Sequence, residues 1–165
     1  MNTITTKKRN IIIPVIFIAI VAPLLYSYIL YHNLKVSNEH ANMFEQVIMN
    51  AVNQRITFDM KDATPFVWDR FYVFGPYAPK EEMERLIGLK WTTNSYLGFI
   101  ITGNSFLGDY PLNDDAVNKI VFVNDDKVIL DVTLLRSEID FTNIEGPVDR
   151  DEAKFKVKEN TVLLK

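Results

Sequence analysis

The sequence predicts an α+β protein: one N-terminal transmembrane helix, then a small domain with an antiparallel sheet of about five to six strands and two packed helices, one long and one short. Three observations lead there. Residues 11–31 read IIIPVIFIAIVAPLLYSYILY, 21 positions without a charge, and about 20 apolar residues are enough to cross a hydrocarbon core of roughly 30 Å. The stretch VFVNDDKVILDVTLL at 121–135 places two apolar runs around a turn-forming Asn-Asp-Asp-Lys, which is a hairpin signature. Beyond residue 37 strand-like and helix-like segments follow one another without regular alternation, which favours α+β over a parallel α/β sheet.

The first element is the apolar run. Its backbone must satisfy its own hydrogen bonds in lipid, so a helix is expected despite Pro14 and Pro23. Lys7, Lys8 and Arg9 precede it without an acidic neighbour, which holds that end in the cytoplasm and sends the rest outward. Tyr26, Tyr28 and Tyr31 resemble the aromatic belt of a helix leaving a bilayer. A cleaved signal peptide is the competing reading. Against it, the run exceeds the usual apolar core of a signal, and Ile20 and Pro23 flank the best cleavage position, Ala22. The expected organisation is a cytoplasmic basic tail (1–10), a transmembrane anchor (11–31), a connector (32–37) and an extracytoplasmic α+β domain (38–165). The expected location is the cytoplasmic (inner) membrane, single-pass.

Ser37 is positioned to cap a helix starting at Asn38, and Ala41, Phe44, Val47, Ile48, Ala51 and Val52 form one apolar stripe along it. Residues 56–60 are a short strand candidate. Residues 67–74 are rich in aromatic and β-branched side chains, apolar on both faces, and read as a central strand ended by Gly75-Pro76. Pro79 suits the first turn of a short helix with Glu81 and Glu82 near its positive end and Gly88 as its stop. Tyr96–Thr102 reads as a strand and 103–118 as a loop. In the hairpin, Val128, Leu130, Val132 and Leu134 are expected on one face, Asp131 and Thr133 on the other. Residues 136–152 are polar, and AKFKVKENTVLLK at the end alternates as two short strands around Glu159-Asn160.

Composition narrows the function. Three of the 18 basic residues precede the apolar run and all 21 acidic residues follow it, so residues 32–165 carry 15 basic against 21 acidic side chains, net −6. That balance disfavours nucleic acid as a partner, which needs clustered positive charge. The absence of Cys excludes disulfides, thiol chemistry and lipoprotein attachment. No metal site is expected: His32 and His40 are the only histidines, and neither Asp109, Asp114 and Asp115 nor the Asn-Asp-Asp at 124–126 has calcium-loop spacing. There is no nucleophile elbow and no phosphate-binding glycine loop, so no cofactor and no catalytic residue is assigned. Asp69, an acid within an apolar strand, is the best candidate for a carboxylate pair. Arg70 is expected between Trp68 and Tyr72 on one face, in cation–π contact.

The motif WDRFYVFGPYAPKEE resembles the pattern W-D-x-x-Y-V-F-G-P-Y-[TS], followed by a charged helix, of an uncharacterised family of small bacterial membrane-anchored or secreted proteins. VFVNDDKVILDVTLLR resembles the companion hairpin of that pattern, and the resemblance covers residues 64–142. It implies a signal or anchor before one small domain and brings no catalytic residues. Ala78 departs from it, standing where the pattern has a capping Thr or Ser. The function expected from all this is a membrane-anchored module of the bacterial cell envelope that binds another, unknown envelope protein. Trp68, Arg70, Tyr72 and Tyr77 are its candidate contacts, since such side chains concentrate binding energy. The alternatives are an envelope hydrolase using Asp69, and a pilin-like or secretion-assembly subunit.

Overall fold

The computed structural model describes residues 3–54, 57–102 and 114–165. Helix α1, Thr3–Leu34, runs unbroken through Pro14 and Pro23. At 1.5 Å per residue its 32 residues extend about 48 Å. From Ile13 to Leu34 it is long and apolar enough to cross a membrane, and none of that span's most apolar window is buried against the rest of the chain. Its length and composition are those of a membrane anchor or a signal sequence.

The chain breaks after Leu34, close to the predicted position, but Ser37 does not cap the next helix. Helix α2, Ala41–Asn53, is preceded by His40, whose side chain makes no capping bond. The reason is Asn38, which takes a left-handed conformation (φ 53°) and turns the chain before the helix can start. The predicted stripe is present: Phe44, Ile48, Ala51 and Val52 are buried.

The remaining elements are β1 (Thr57–Asp59), α3 (Met60–Ala63), β2 (Arg70–Phe74), α4 (Lys80–Ile87), α5 (Tyr96–Thr102), β3 (Val117–Asn124), β4 (Lys127–Leu135), β5 (Pro147–Asp149), β6 (Lys154–Lys158) and β7 (Thr161–Leu164). Instead of one sheet there are two, both antiparallel: four strands in the order β4-β3-β2-β5 and three in the order β1-β6-β7. The predicted central strand is central, between β3 and β5, but starts at Arg70 because the chain bends at Asp69. Pro79 precedes α4 and Gly88 closes it with φ 78°, the left-handed stop that the sequence predicts. Within the polar 136–152 stretch, β5 pairs with the second edge of β2.

Further expectations are corrected. Tyr96–Thr102 is a helix, not a strand: Ser95 Oγ accepts the Gly98 N–H at 3.2 Å, an N-terminal cap, and the segment belongs to neither described sheet. The expected loop at 103–118 lies outside the described residues up to 113, and its last two residues already belong to β3. The strand faces of the hairpin also shift. Pairing slips by one between Phe122 and Val123, leaving Ile129 opposite no residue. Val128 therefore lies on the opposite face from Leu130, Val132 and Leu134.

The main core lies between the two sheets and under α2. Phe122 of β3 meets Phe44, Phe66, Trp68 and Phe71 with ring centroids 5.2–5.4 Å apart. Phe155 of β6 meets Phe58, Phe71 and Phe141 at 5.5–6.2 Å, so Phe71 joins the sheets. The other face of the four-stranded sheet carries a second cluster of Tyr72, Phe74, Val121 and Val123, covered by Met83 and Ile87 of α4, by Trp91 and by Val36 of the connector. Both faces of β2 are thus covered, as its composition predicts.

Candidate functional site

The four residues expected to bind a partner divide between core and surface. Trp68 is 1% exposed and donates its indole N–H to Thr64 Oγ1 at 2.7 Å. Tyr72 is buried in the second cluster, so the two rings face opposite sides of the sheet. The expected stacking of Arg70 is not formed. Arg70 Nε donates to the Tyr72 hydroxyl at 3.1 Å, and it is Arg150, from the turn after β5, whose guanidinium lies over Trp68 at 5.4 Å. Alternation cannot carry through the bend at Asp69, which separates Trp68 from the strand.

Tyr77 is different. It is 57% exposed and takes φ 64°, a left-handed conformation that costs a residue with a Cβ on the order of 1 kcal/mol. Its hydroxyl donates to Asp115 Oδ1. That bond raises the phenol's pKa and lowers that of the Asp115 carboxyl. An aromatic ring is thereby presented beside a fixed negative charge on the surface. Asp69 is exposed, and its Oδ2 accepts the Asp125 N–H at 2.6 Å, stapling the hairpin turn to the bend before β2. Two open hollows, one beside Gln46 and Glu138 and one beside Phe58 and Asp62, do not include it. Among the described residues no three His, Asp or Glu side chains converge as metal ligands would.

The most organised polar cluster is one that sequence reading missed. Asp131 of β4 is 7% exposed. Its Oδ1 accepts from Lys119 Nζ at 2.6 Å and its Oδ2 from Trp91 Nε1 at 2.7 Å. β4 is an edge strand, and the Asn38 side chain occupies its open edge: Nδ2 donates to the Asp131 carbonyl at 2.6 Å and Oδ1 accepts the Asp131 N–H at 2.9 Å. The amide therefore replaces a neighbouring strand at that one residue. Lys80 of α4 adds a second ammonium nearby; burial lowers its pKa, opposed by the charges of Glu84 and Asp131. This cluster bonds the turn at Asn38, the start of the 91–102 segment and both hairpin strands into one unit.

Directly beside it the helix end is locked in. Val36 N–H donates to the Thr92 carbonyl at 3.0 Å and Thr92 N–H to the Leu34 carbonyl at 2.8 Å. Lys35 Nζ donates to the carbonyls of Thr93 at 2.6 Å and Asn94 at 3.0 Å. The Tyr31 hydroxyl reaches the Asn94 carbonyl at 3.2 Å, and the Tyr96 hydroxyl reaches back to the Leu24 carbonyl at 3.1 Å. The Tyr96 ring packs against Tyr28 and Tyr31 with centroids at 5.4 and 5.3 Å, and Phe99 against Tyr31 at 5.6 Å. The arrangement ties the folded domain to the apolar helix through backbone, ammonium, hydroxyl and ring contacts. No family model, curated protein or solved structure matches the chain, so the reading of its function stands on this geometry alone.

Proposed function

We propose that the chain is a membrane-anchored interaction module of the bacterial cell envelope, with α1 crossing the cytoplasmic membrane, its N-terminus inside, and the α+β domain presented outside to another protein. The observation that supports it most is the unburied apolar span Ile13–Leu34 running straight into the bonded junction with the domain. A signal to be cut away would have no need of aromatic and backbone partners in the domain. The basic Lys7, Lys8 and Arg9 at the helix start set the orientation. Burial of Trp68 and Tyr72 leaves Tyr77, with the partly exposed Arg70, as the contact residues for the partner.

Two measurements test the proposal. A periplasm-active reporter fused after Lys165 is expected to be active, with the intact chain resisting carbonate extraction from membranes; a cytosol-only reporter signal or release of the chain overturns the anchor. A photo-crosslinking residue at position 77 is expected to give one discrete adduct with an envelope protein. The same residue at exposed Lys156 is expected to give none. Equal labelling at both positions overturns Tyr77 as a contact.

A further inference from the structure

Helix α5 has an apolar face that the described residues of the domain leave exposed. Leu97 is 68% exposed and Ile101 57%, with Ile100 beside them at 37%. Tyr96 and Phe99 on the same helix pack against α1. Residues 91–102, WTTNSYLGFIIT, contain no charge. In water three large aliphatic side chains on a seven-residue helix would be poorly placed.

Its position says what covers that face. The Tyr96 hydroxyl bonds the Leu24 carbonyl, and Leu24 lies seven residues before Tyr31, the last residue of the uncharged run. At 1.5 Å per residue that is about 10 Å further along α1 toward its cytoplasmic end. Anything touching Leu24 is therefore below the surface of a bilayer that α1 spans. The polar groups of α5 suit such a setting, where water is scarce. Ser95 Oγ accepts the Gly98 N–H, the Phe99 N–H bonds the Ser95 carbonyl at 2.8 Å, and the Thr102 hydroxyl donates to the Gly98 carbonyl at 2.9 Å while accepting from Asn94 Nδ2 at 3.2 Å. Tyr28, Tyr31 and Tyr96 form a cluster of phenols at the depth where such rings settle in bilayers. The net charge of −6 beyond residue 31 gives no electrostatic pull toward anionic head groups, so attachment would be apolar.

We propose that α5 is a second membrane-seated element, with Leu97, Ile100 and Ile101 in the acyl region of the outer leaflet beside the outer end of α1. The inference rests on α1 being the anchor. It makes the contact with lipid two-legged: a spanning helix and a short one lying next to its exit.

The chain has no cysteine, so single cysteines can be placed in the full protein at Leu97, Ile101, Phe17 and Lys156 and labelled with an environment-sensitive fluorophore. The protein is reconstituted into phosphatidylcholine–phosphatidylglycerol vesicles, with and without bromine on the acyl chains. Labels at L97C and I101C are expected to be blue-shifted and quenched by brominated lipid to the same extent as F17C, with K156C unquenched. Quenching at F17C with none at L97C and I101C overturns the seating of α5 and leaves the anchor standing. A blue shift at L97C and I101C without lipid quenching also overturns it, since a protein then covers the face. An unquenched F17C overturns the anchor and α5 with it.

Discussion

At the scale of single residues, Asp131 shows how much one buried carboxylate can organise. It serves Lys119, Trp91 and, through its backbone, Asn38. Replacing it by Ala strands a Lys side chain that is only 17% exposed and a buried indole N–H. Asp131→Ala is expected to cost about 3 kcal/mol, the low end for breaking a buried pair because Lys119 keeps some water. The denaturation midpoint of the detergent-solubilised chain reads this. A Lys119→Met, Asp131→Leu double replacement should recover the part due to the stranded ammonium but not the part due to the indole N–H, which stays unpaired at about 1–3 kcal/mol. Asp140 gives a pH signature. Burial pushes its carboxyl up, but hydrogen bonds from Thr142 and the Arg136 guanidinium more than reverse this and hold it below the ordinary value. The lowered native pKa means that the unfolded chain binds the proton first. The stability Asp140 adds is complete above about pH 4 and disappears as pH falls through the lower native value. Unfolding followed down the acid range should show that loss, and Asp140→Asn should flatten it. An Asp140→Asn profile as steep as that of the unmodified chain would assign the acid sensitivity to other carboxylates.

At the scale of elements, what the sequence discloses depends on whether the cause is local. Helix α4 was legible to its last residue because Gly88 is a local necessity. At φ 78° any Cβ is strained, although nothing lies within 4 Å to obstruct it. Gly88→Ala should therefore cost about 1–2 kcal/mol from conformation alone, with Gly88→Asn milder, as measured by the same denaturation midpoint. The face of β2 was legible for the same reason, apolar residues lying on both sides. The α5 segment was misread because its composition, Tyr, Phe, two Ile and Thr, is that of a strand. The contrary signal was Ser95 just ahead of it, a capping residue whose weight depends on whether the segment is drawn into a sheet. That is a tertiary fact. The Lys119–Asp131 pair was hidden more thoroughly. Regular pairing out from the Asn124↔Lys127 turn would set Lys119 opposite Val132, on the face away from Asp131. The slip at Ile129 sets it opposite Thr133 instead, diagonal to Asp131 and on its face. Nothing in VFVNDDKVILD announces that slip. Of the four singled-out residues, the exposure of Tyr77 was legible from its place beside Gly-Pro, whereas the depth of Trp68 and Tyr72 was not, since an aromatic suits core and interface equally.

At the scale of the whole molecule, one aromatic network spans two sheets that the sequence presents as one. β1, β6 and β7 come from distant parts of the chain, and Phe155 holds them to the other sheet through Phe71 and Phe141. Asp140 joins them again at the backbone: its N–H bonds the Asn160 carbonyl and its carbonyl accepts the Val162 N–H, both at 2.8 Å. Phe155 is fully buried, so Phe155→Ala should cost about 3–5 kcal/mol. If the sheets fold as one body, a single transition shifts as a whole; two separate transitions would show that the three-stranded sheet opens on its own. The Leu34–Thr92–Val36 pairing bears on this body as well. It leaves no slack where helix becomes domain, so tension or twist applied to α1 passes directly into the sheet rather than being absorbed by a leash. Swivelling the head on its stalk would have to break both bonds. A head joined in this way keeps its height above the end of the stalk for as long as those bonds hold.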